Sequence, residues 1–486
     1  MVERNKEFYV IIVKNKMPEN KKQIVVRFPP SPTGEWHFGT VRTFVHNYLF
    51  AKQNGGKIVM RFEDTDKERN KPESYQQQLD VLRRLGLDFD EGPFRQSERT
   101  EIYTQYLKKL VDEGKAYEAE ENASKTGKVI RLKNVERDIV WNDLVKGEIK
   151  INTHSFKERD DSGNFSEEGN VDMVIARSMN DALYHFTVCV DDFLMGITHV
   201  LRGEDHVTST PRQIIILEAL GADIPEYGHL PTVWGEDKQK LSKRKGAKAV
   251  REYLDAGYLP DAILNQIALL GWNPGDNQEI FKREDLIKVF SLGRVQKHPA
   301  IYEDKKLDFI NKGHLKFLSD EEFVKGVIGA FPEDCREGIN KNIEKARKIY
   351  LKVYRERISK FSEVAEAAKN GENNCFYDFS WNEDFKNFDL QNICFKNKDG
   401  MQSLEQAKEN LKLVKENIQN NPDPDWTIEN LKKEIWDWSA TVGRGQVLHP
   451  LRMIMSLKEK SPDPFTIMEI IGREESLRRI NLILGI

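Results

Sequence analysis

The sequence has few cysteines and no long apolar run. Its four cysteines form no C-x-x-C pair and have no histidine nearby at metal-ligand spacing: Cys189, Cys335, Cys375 and Cys394. Neither a zinc site nor a disulfide framework is therefore expected, and a reducing compartment fits. No apolar run approaches the ~20 residues that a membrane span needs. We accordingly expect a protein without a membrane anchor that acts in the cytoplasm.

Strong charge of one sign is also lacking. The 486 residues carry a formal net charge of only -4, with 32% charged and 39% hydrophobic residues. This composition excludes a disordered chain, and the length favours roughly three or more domains. Net charge does not indicate a nucleic-acid partner, although affinity for phosphates depends on local clusters of Lys and Arg. Residues 1–22 are expected to be an N-terminal extension, because their apolar run FYVIIV is too short for a signal peptide.

The first half of the sequence alternates strand and helix patterns. The runs QIVVRF and KIVMRFED enclose an amphipathic stretch that ends in a glycine pair, which predicts a βαβ unit with a parallel sheet. Alternation in LYHFTVCV predicts a strand with Tyr184, Phe186 and Val188 on one face. The polar stretch 157–170 is expected to be a solvated insertion. From about residue 250 helical periods dominate, so the sequence predicts an α/β domain followed by an all-α domain.

A first chemical motif lies in RFPPSPTGEWHFGT, where a strand leads into a helix. Such helix starts line the ligand crevice of open α/β sheets, and their free N–H groups favour phosphate. Gly34 and Gly39 would let the backbone approach a ligand, while His37 stands at the expected helix start. The same pattern also fits a histidine that only caps or packs against the helix.

A second motif is the basic stretch WGEDKQKLSKRKGAKAVREYL. Lysines in a glycine-flanked loop can close over a triphosphate and neutralise charge that develops during phosphoryl or nucleotidyl transfer. In isolation a basic run is more typical of a solvated surface. Its combination with a phosphate-ready helix start about 200 residues earlier favours the functional interpretation.

Together these motifs resemble a known family. HFGT and KLSKR look like the HIGH and KMSKS signatures of class I aminoacyl-tRNA synthetases. RFEDTDKER, GLDFDEGP, RQSER and VDDFLMGITHVLRGEDH follow in order with suitable spacing, and the set resembles bacterial-type glutamyl-tRNA synthetases from about Gln23 onward. The resemblance implies activation of L-glutamate with ATP and Mg²⁺, release of pyrophosphate, and transfer of glutamate to the 3′ adenosine of tRNA(Glu). A monomer is expected.

The resemblance also implies a domain plan. A Rossmann-like parallel-sheet catalytic domain would consist of residues 23–115 and 183–235. A connective, acceptor-binding insertion would separate its halves at 116–182. The KLSKR loop and a stem-contact helical domain would span 236–328, and an α-helical anticodon-binding domain 329–486.

Site residues are implied at the positions that match the family's motifs. His37, Lys240 and Lys243 would be catalytic. Glutamate would contact Arg27, Ser31, Glu63, Tyr184 and Arg202. ATP would contact Thr33, Gly34, His37, Gly39, Thr40, Asp205, Lys240, Leu241, Ser242, Lys243 and Arg244. The tRNA would contact Asp66, Arg69 and Arg444.

Structural roles compete with some of these assignments. Arg27 could pair with Glu63 or Asp64 across neighbouring strands, and Tyr184 could be a core aromatic residue. The connecting segment AYEAEENASKTGKVIRL is shorter than is usual in the family and has no cysteine, so no zinc site is expected.

Other functions fit the whole sequence less well. Glutaminyl-tRNA synthetases usually end in β-barrels rather than helices, and short glutamate-activating relatives that modify tRNA lack the second half. A non-catalytic descendant would be expected to lose His37 or the lysines. A nucleotidyltransferase for a small metabolite would have no use for the helical half.

Overall fold

A computed structural model describes residues 11–12, 23–66, 68–120, 127–156, 171–241, 248–398, 400–420 and 426–485. Over these residues the chain divides into two compact units. The first unit comprises Met1–Leu254 and Leu259–His314, and the second comprises Asp255–Tyr258 and Leu315–Ile486. The predicted insertion at 157–170, the site residues Ser242, Lys243 and Arg244, and most of the predicted extension lie outside the described residues.

The first unit begins with the predicted strand–helix–strand alternation. Its elements are β1 (Ile11–Ile12), β2 (Val25–Phe28), α1 (Phe38–Gln53), β3 (Lys57–Phe62), α2 (Pro72–Leu85) and β4 (Glu91–Arg95). β2, β3 and β4 pair in parallel in that order. The βαβ unit predicted from QIVVRF and KIVMRF is thus confirmed. Helix α2 ends where Gly86 adopts a left-handed conformation with φ 62°, which glycine permits without steric cost.

Antiparallel strands follow. The elements are α3 (Thr100–Asp112), β5 (Ala116–Glu120), β6 (Lys128–Leu132), β7 (Asp138–Asp143), β8 (Gly147–Asn152), β9 (Met173–Ser178) and β10 (Asp181–Ala182). One sheet has the order β10-β9-β6-β5, and β7 forms a hairpin with β8. β1 pairs in parallel with β7, so two residues of the expected N-terminal extension join this sheet.

The chain then returns to the parallel layer. The elements are α4 (Tyr184–Leu194), β11 (His199–Gly203), α5 (Thr210–Leu220), β12 (Glu226–Leu230) and β13 (Val233–Trp234). β11 and β12 pair in parallel. The N–H of Thr198 donates to the carbonyl of Val25 at 2.9 Å, and the N–H of Val25 donates to Thr198 Oγ1 at 2.8 Å. These bonds place β2 beside β11, so that five parallel strands end at one edge.

The prediction of a strand at LYHFTVCV is wrong, because this segment is helix α4. The helix buries residues around most of its circumference, among them Phe186, Val188 and Val190. A short apolar run that is buried on several sides shows no distinctive period, so sequence alone cannot separate a buried strand from a buried helix. Tyr184 consequently lies at the first turn of a helix.

Helices complete the first unit. They and one short strand are α6 (Val250–Asp255), α7 (Pro260–Leu269), α8 (Arg283–Val289), β14 (Ala300–Ile301) and α9 (Asp304–Leu315). β14 pairs in parallel with β13. The buried face of α1 reaches this layer, where the His46 ring lies 5.3 Å from the ring of Phe290. Helix α1, which begins at the first motif, is therefore fixed on one side by the sheet and on the other by helices.

Over its described residues the second unit is helical, as predicted, except for one short hairpin. Its elements are α10 (Asp320–Gly329), α11 (Glu333–Lys341), α12 (Ile343–Ile349), α13 (Ser362–Lys369), α14 (Asp378–Lys386), β15 (Lys396–Asn397), β16 (Gly400–Met401), α15 (Leu404–Asn420), α16 (Ile428–Val442), α17 (Arg444–Ser456), α18 (Pro464–Ile471) and α19 (Arg473–Leu484).

The core of the second unit includes an aromatic ring and a buried arginine. Trp381 is fully buried and donates from Nε1 to the carbonyl of Ile454 at 3.1 Å. The Arg479 guanidinium lies 4.6 Å from the centre of that ring and donates to two backbone carbonyls. No helix among the described residues is long and apolar enough to cross a membrane.

Candidate active site

A cleft of about 360 Å³ opens at the carboxyl ends of the parallel strands. β2, β3, β11 and β12 end there, and α1 and α4 begin there. Ligands of open α/β sheets bind at this edge. Much of the lining consists of predicted site residues: Arg27, Ser31, His37, Gly39, Thr40, Glu63, Tyr184, Arg202, Asp205, Lys240 and Leu241.

Some predicted residues do not line the cleft. Thr33 and Gly34 lie in the turn before α1, where the Gly34 carbonyl accepts a hydrogen bond from Gln78 at 2.8 Å. Asp66 and Arg69 are exposed in the turn after β3, and the N–H of Arg69 donates to the Asp66 carbonyl at 3.3 Å. Arg444 belongs to the second unit, at the start of α17.

One end of the cleft is built on a buried cluster of charges. Arg61 on β3 is fully buried, and its Nη2 lies 2.9 Å from Asp192 Oδ1 and 3.2 Å from Glu63 Oε1. Asp192 Oδ2 also lies 3.6 Å from Arg27 Nε. Burial opposes charge on Arg61, but the surrounding carboxylates, Asp192 foremost, raise its pKa. A shared carboxylate therefore couples Arg27 to this cluster.

Arg27 itself keeps hydrogen-bonding capacity. Its side chain is 2% exposed, and its Nε and Nη1 have no hydrogen-bond partner among the described residues. It pairs with Asp192 rather than with Glu63 or Asp64, which corrects the alternative raised from the sequence. A buried guanidinium that lines a cleft with unfilled N–H groups can receive a carboxylate in a two-point contact.

Arg202, in contrast, is already held by the protein. It is the penultimate residue of β11. Its nitrogens donate to His229 Nε2 at 3.2 Å, Gln213 Oε1 at 2.7 Å, Thr210 Oγ1 at 2.7 Å and the His206 carbonyl at 3.2 Å. Because a guanidinium has five N–H groups, these contacts leave one for a ligand. Burial lowers the pKa of Arg202.

Glu63 and Tyr184 complete this end. Burial raises the pKa of Glu63 to about 7, against the opposing effects of Arg61 and Arg27. Burial also raises the pKa of Tyr184, with the Glu63 charge adding to the effect, so its hydroxyl stays neutral. The cleft thus offers two cationic groups, one carboxylate and one phenol within a single buried wall.

The other end lies at the start of α1. His37 is the N-cap residue, and its Nδ1 accepts from the Gly39 N–H at 3.1 Å. Since Nδ1 accepts, a neutral His37 carries its proton on Nε2. A side chain at Gly39 would approach the His37 ring to 3.1 Å, which is tight for a Cβ. The helix start therefore combines a positive dipole end with a directed imidazole.

Lys240 faces this end from the segment after β13. Its Nζ lies 3.4 Å from Asp205 Oδ2, and both side chains are more than half exposed. The backbone of Lys240 forms an isolated antiparallel β-bridge with that of Trp234, and the N–H of Leu241 donates to the carbonyl of Val233 at 2.9 Å. The first two residues of the KLSKR motif are thus fixed beside the cleft.

Sequence reasoning missed several buried polar and charged residues that line or support the cleft. These are Arg42, Asp143, Asp191, Asp192 and His229. The adjacent acids in VDDFLM and the histidine in GHLP were visible, but nothing local indicated their partners. Burial lowers the pKa of Arg42 to about 10. Burial also lowers the pKa of His229, although Asp143 opposes this effect.

Comparison with known families identifies both halves of the chain. Residues 23–127 and 118–309 match the model for the catalytic domain of class I tRNA synthetases (E and Q). Residues 317–484 match the model for an anticodon binding domain. The predicted order of a parallel-sheet catalytic domain followed by an all-helical domain is confirmed.

Individual relatives agree with these matches. The glutamate–tRNA ligase of Thermodesulfovibrio yellowstonii is 36% identical over 495 residues, covering 94% of this chain and 99% of that protein. That of Aquifex aeolicus is 39% identical, covering 68% and 79%. The crystal structure of a glutamate tRNA ligase from Elizabethkingia meningosepticum in complex with its amino acid has a TM-score of 0.73 at 27% identity, covering 96% and 99%. The chain therefore belongs to the glutamate–tRNA ligases, a family of class I aminoacyl-tRNA synthetases.

Proposed function

We propose that the cleft is where L-glutamate is activated and passed to tRNA(Glu), with the residues below in defined roles. Use of ATP, an amino acid and tRNA follows from membership of the family. An oxygen of the glutamate α-carboxylate attacks the α-phosphorus of ATP, the bond to the bridging oxygen breaks, and pyrophosphate leaves. A hydroxyl of the 3′ adenosine then attacks the carbonyl carbon, and AMP leaves. Both steps join charged groups, so positioning and charge stabilisation carry most of the rate.

The glutamate side chain is assigned to Arg27 and Arg202. Arg27 offers unfilled N–H groups for a two-point contact, while Arg202 contributes its charge and one remaining N–H. Glutamine has no charge to pair with two buried guanidinium groups, which would reject it. The juxtaposition of these arginines with a phosphate-ready helix start in one cleft is the observation that carries the proposal.

The remaining contacts to glutamate fall to Glu63, Tyr184 and Ser31. The Glu63 carboxylate would pair with the α-ammonium, for which its ionised form is needed. Tyr184 and Ser31 supply neutral hydroxyl groups at the same wall of the cleft. Neutral donors suit a site where the substrate already carries the charges.

The phosphates are assigned to the start of α1 and the KLSKR segment. His37 would donate from Nε2 to a phosphate oxygen, because its Nδ1 is engaged with Gly39. Lys240, together with Lys243, would neutralise the leaving pyrophosphate. The nucleotide side of the cleft is lined by Gly39, Thr40, Asp205 and Leu241. We also assign ATP contacts to four further residues because they match positions of the family's motifs: Thr33, Gly34, Ser242 and Arg244. Mg²⁺ would enter with ATP on its phosphates.

Contacts with tRNA are assigned outside the cleft. The insertion at 116–182 would receive the acceptor end, with Asp66 and Arg69 nearby. The helical region 329–486 would bind the anticodon, where Arg444 lies 4.6 Å above the exposed ring of Trp436. A stacked arginine and indole suit an unpaired base. We propose that the protein acts as a monomer, and we place its action in the cytoplasm.

Exchange of radiolabelled pyrophosphate into ATP tests the activation step. Exchange should require glutamate, should not occur with glutamine, and should depend on tRNA(Glu). The folded protein should then charge tRNA(Glu), and a parallel assay with glutamine tRNA measures its specificity. Absence of exchange with and without tRNA would refute the catalytic assignment of the cleft.

A further inference from the structure

Behind Arg202 lies a buried pair that the proposed mechanism does not use. Asp143 is the last residue of β7, and His229 lies on β12. Asp143 Oδ2 is 2.5 Å from His229 Nδ1, and both side chains are fully buried. On the other side of the ring, His229 Nε2 lies 3.2 Å from Arg202 Nε. The three side chains form a continuous chain of hydrogen bonds that ends in the cleft.

The orientation of the Asp143 carboxylate is fixed by the backbone. Its Oδ1 accepts from the N–H groups of Val145 at 3.0 Å, Lys146 at 2.9 Å and His229 at 3.1 Å. Because these three N–H groups hold Oδ1 in place, the other carboxylate oxygen, Oδ2, is directed at the imidazole of His229. The turn after β7 is held to the catalytic strands by a second contact, since Lys146 Nζ lies 2.5 Å from Glu204 Oε2.

This arrangement determines the tautomer of His229. A carboxylate only accepts hydrogen bonds, so the proton of a neutral imidazole must lie on Nδ1. Nε2 then carries a lone pair, which accepts the Nε–H of Arg202. With the proton on Nε2 instead, that N–H could donate to Thr210 Oγ1 at 3.0 Å, but the Nε–H of Arg202 at 3.2 Å would lose its acceptor and face another N–H in a buried site. The hydrogen bond to Arg202 therefore depends on Asp143, which does not touch Arg202.

We propose that Asp143 and His229 are positioning residues for Arg202, fixing the guanidinium so that its remaining N–H faces the side-chain carboxylate of glutamate. This inference rests on the proposed role of Arg202. Asp143 lies in the predicted insertion, between the two catalytic halves of the sequence. A residue of the insertion thus completes the specificity pocket, and its effect is on glutamate rather than on ATP.

The substitution Asp143→Asn tests the tautomer directly. The amide oxygen would keep the three backbone N–H groups, so the amide nitrogen would donate to His229 Nδ1 and move the imidazole proton to Nε2. We expect the KM for glutamate to rise roughly tenfold or more, as for loss of a charge-assisted hydrogen bond, with the KM for ATP unchanged within about twofold. In ¹⁵N NMR spectra of histidine-labelled protein, the Nδ1 signal of His229 should change from that of a protonated nitrogen to that of an unprotonated one, and the Nε2 signal should change in the opposite direction.

Two substitutions of His229 provide a matched pair. In His229→Gln the amide can place its oxygen near the position of Nε2 and accept from Arg202. In His229→Asn the shorter amide reaches only Asp143. We therefore expect His229→Gln to retain most of the affinity for glutamate, whereas His229→Asn should show the same rise in KM as Asp143→Asn. Discrimination against glutamine should fall in the two impaired variants and stay high in His229→Gln.

Thermal unfolding of all three variants separates positioning from folding. If the variants lost stability equally but kept the wild-type KM for glutamate, Asp143 and His229 would be structural and the proposal would be wrong. An unchanged tautomer in folded Asp143→Asn would also overturn it. The NMR measurement does not depend on activity. If the wild-type protein showed no glutamate-dependent exchange but Asp143→Asn showed the expected change of tautomer, the proposed function would be refuted, while the dependence of the His229 tautomer on Asp143 would stand.

Discussion

The two ends of the cleft are built from the same kinds of charged residues but in opposite ways. At the end that we propose for glutamate (the glutamate end), Arg27 and Arg202 are at most 5% exposed and lie against buried partners. At the end that we propose for the phosphates (the phosphate end), the Lys240 side chain is 62% exposed and touches the exposed Asp205. The first set of charges is buried and held by protein partners, whereas the second is exposed to solvent.

This difference matches the chemistry at each end. The side-chain carboxylate of glutamate keeps the same charge through both steps, so a fixed pair of guanidinium groups can recognise it without rearrangement. Charge on the phosphates moves from the α-phosphorus to the leaving pyrophosphate. Cations that follow this movement stabilise the transition state more than the bound substrate, which is the requirement for a higher rate. With the proposed assignments, the cleft would separate recognition from catalysis.

The largest effect is expected from Arg27→Met. Removal of a buried guanidinium that meets a carboxylate leaves both Asp192 and the substrate undercompensated, so kcat/KM for glutamate should fall by about 10³. Glutamate titrations of the exchange reaction measure this loss. Arg83→Met, at a solvated position on α2, is the matched control and should stay near wild type. A loss of less than about fivefold at Arg27 would contradict a rigid, essential recognition end.

The next largest effect is expected at the phosphate end. Lys240→Ala should lower kcat by about 10², the usual effect of removing one electrostatic group from a transition state. The KM for glutamate and the thermal midpoint should change little, because the side chain is exposed. Stopped-flow or exchange kinetics give kcat, with Lys288→Ala as an exposed control. If Lys240→Ala changed only the KM for glutamate, the proposal that the two ends of the cleft have different roles would be wrong.

Glu63→Gln tests how much the buried charge of Glu63 destabilises the folded protein. Because burial holds the folded pKa near 7, above the ordinary value of 4.5, Glu63 contributes stability below pH 4.5 that is lost as the pH rises through 7. The neutral variant should gain roughly 1–3 kcal/mol relative to wild type between these pH values. Urea unfolding at pH 4.5 and pH 8 measures the difference.

The same variant should bind glutamate less well. Without the carboxylate the KM for glutamate should rise about tenfold at pH 8, and the fall in kcat/KM that we expect for wild type below about pH 7 should weaken. A pH profile identical to that of wild type would assign this ionisation to another group.

The smallest effect is expected outside the cleft. Arg444→Ala removes an exposed guanidinium from the face of Trp436, so the KM for tRNA should rise about fivefold while the KM values for ATP and glutamate stay the same. Aminoacylation at varied tRNA concentration measures this change. Lys345→Ala, whose ammonium lies 5.3 Å from the Tyr377 ring, is a matched control for loss of a cation over an aromatic ring. Equal effects in both variants would indicate general electrostatic attraction instead of a specific contact.

Much of the architecture could be predicted from local patterns. The period of the QIVVRF and KIVMRF runs and the glycine pair before β3 specified the βαβ unit, and the position of His37 at a helix start followed from the turn residues before it. The helical second half followed from its regular apolar spacing. In these segments local preference and final structure agree, as is usual where folding is consistent across levels.

The remaining features depend on contacts between distant parts of the chain. Tyr184 was placed on a strand because an apolar run buried on several sides has no distinctive period. Asp192 pairs with Arg61 across 131 positions, and His229 pairs with Asp143 across 86. Such partners are chosen by topology, so residues that hold the arginines could not be recognised as a group from the sequence.

The central position of β2 has a consequence for the order of events during synthesis. Its Val25 is paired with Thr198, 173 positions later, and the wall that carries Arg27 needs β11 as its neighbour. A nascent chain that has exposed only the first half of the sheet therefore has a phosphate-ready helix start but no specificity pocket. We expect selectivity for glutamate to arise only after β12 has left the ribosome, when both arginines have their partners.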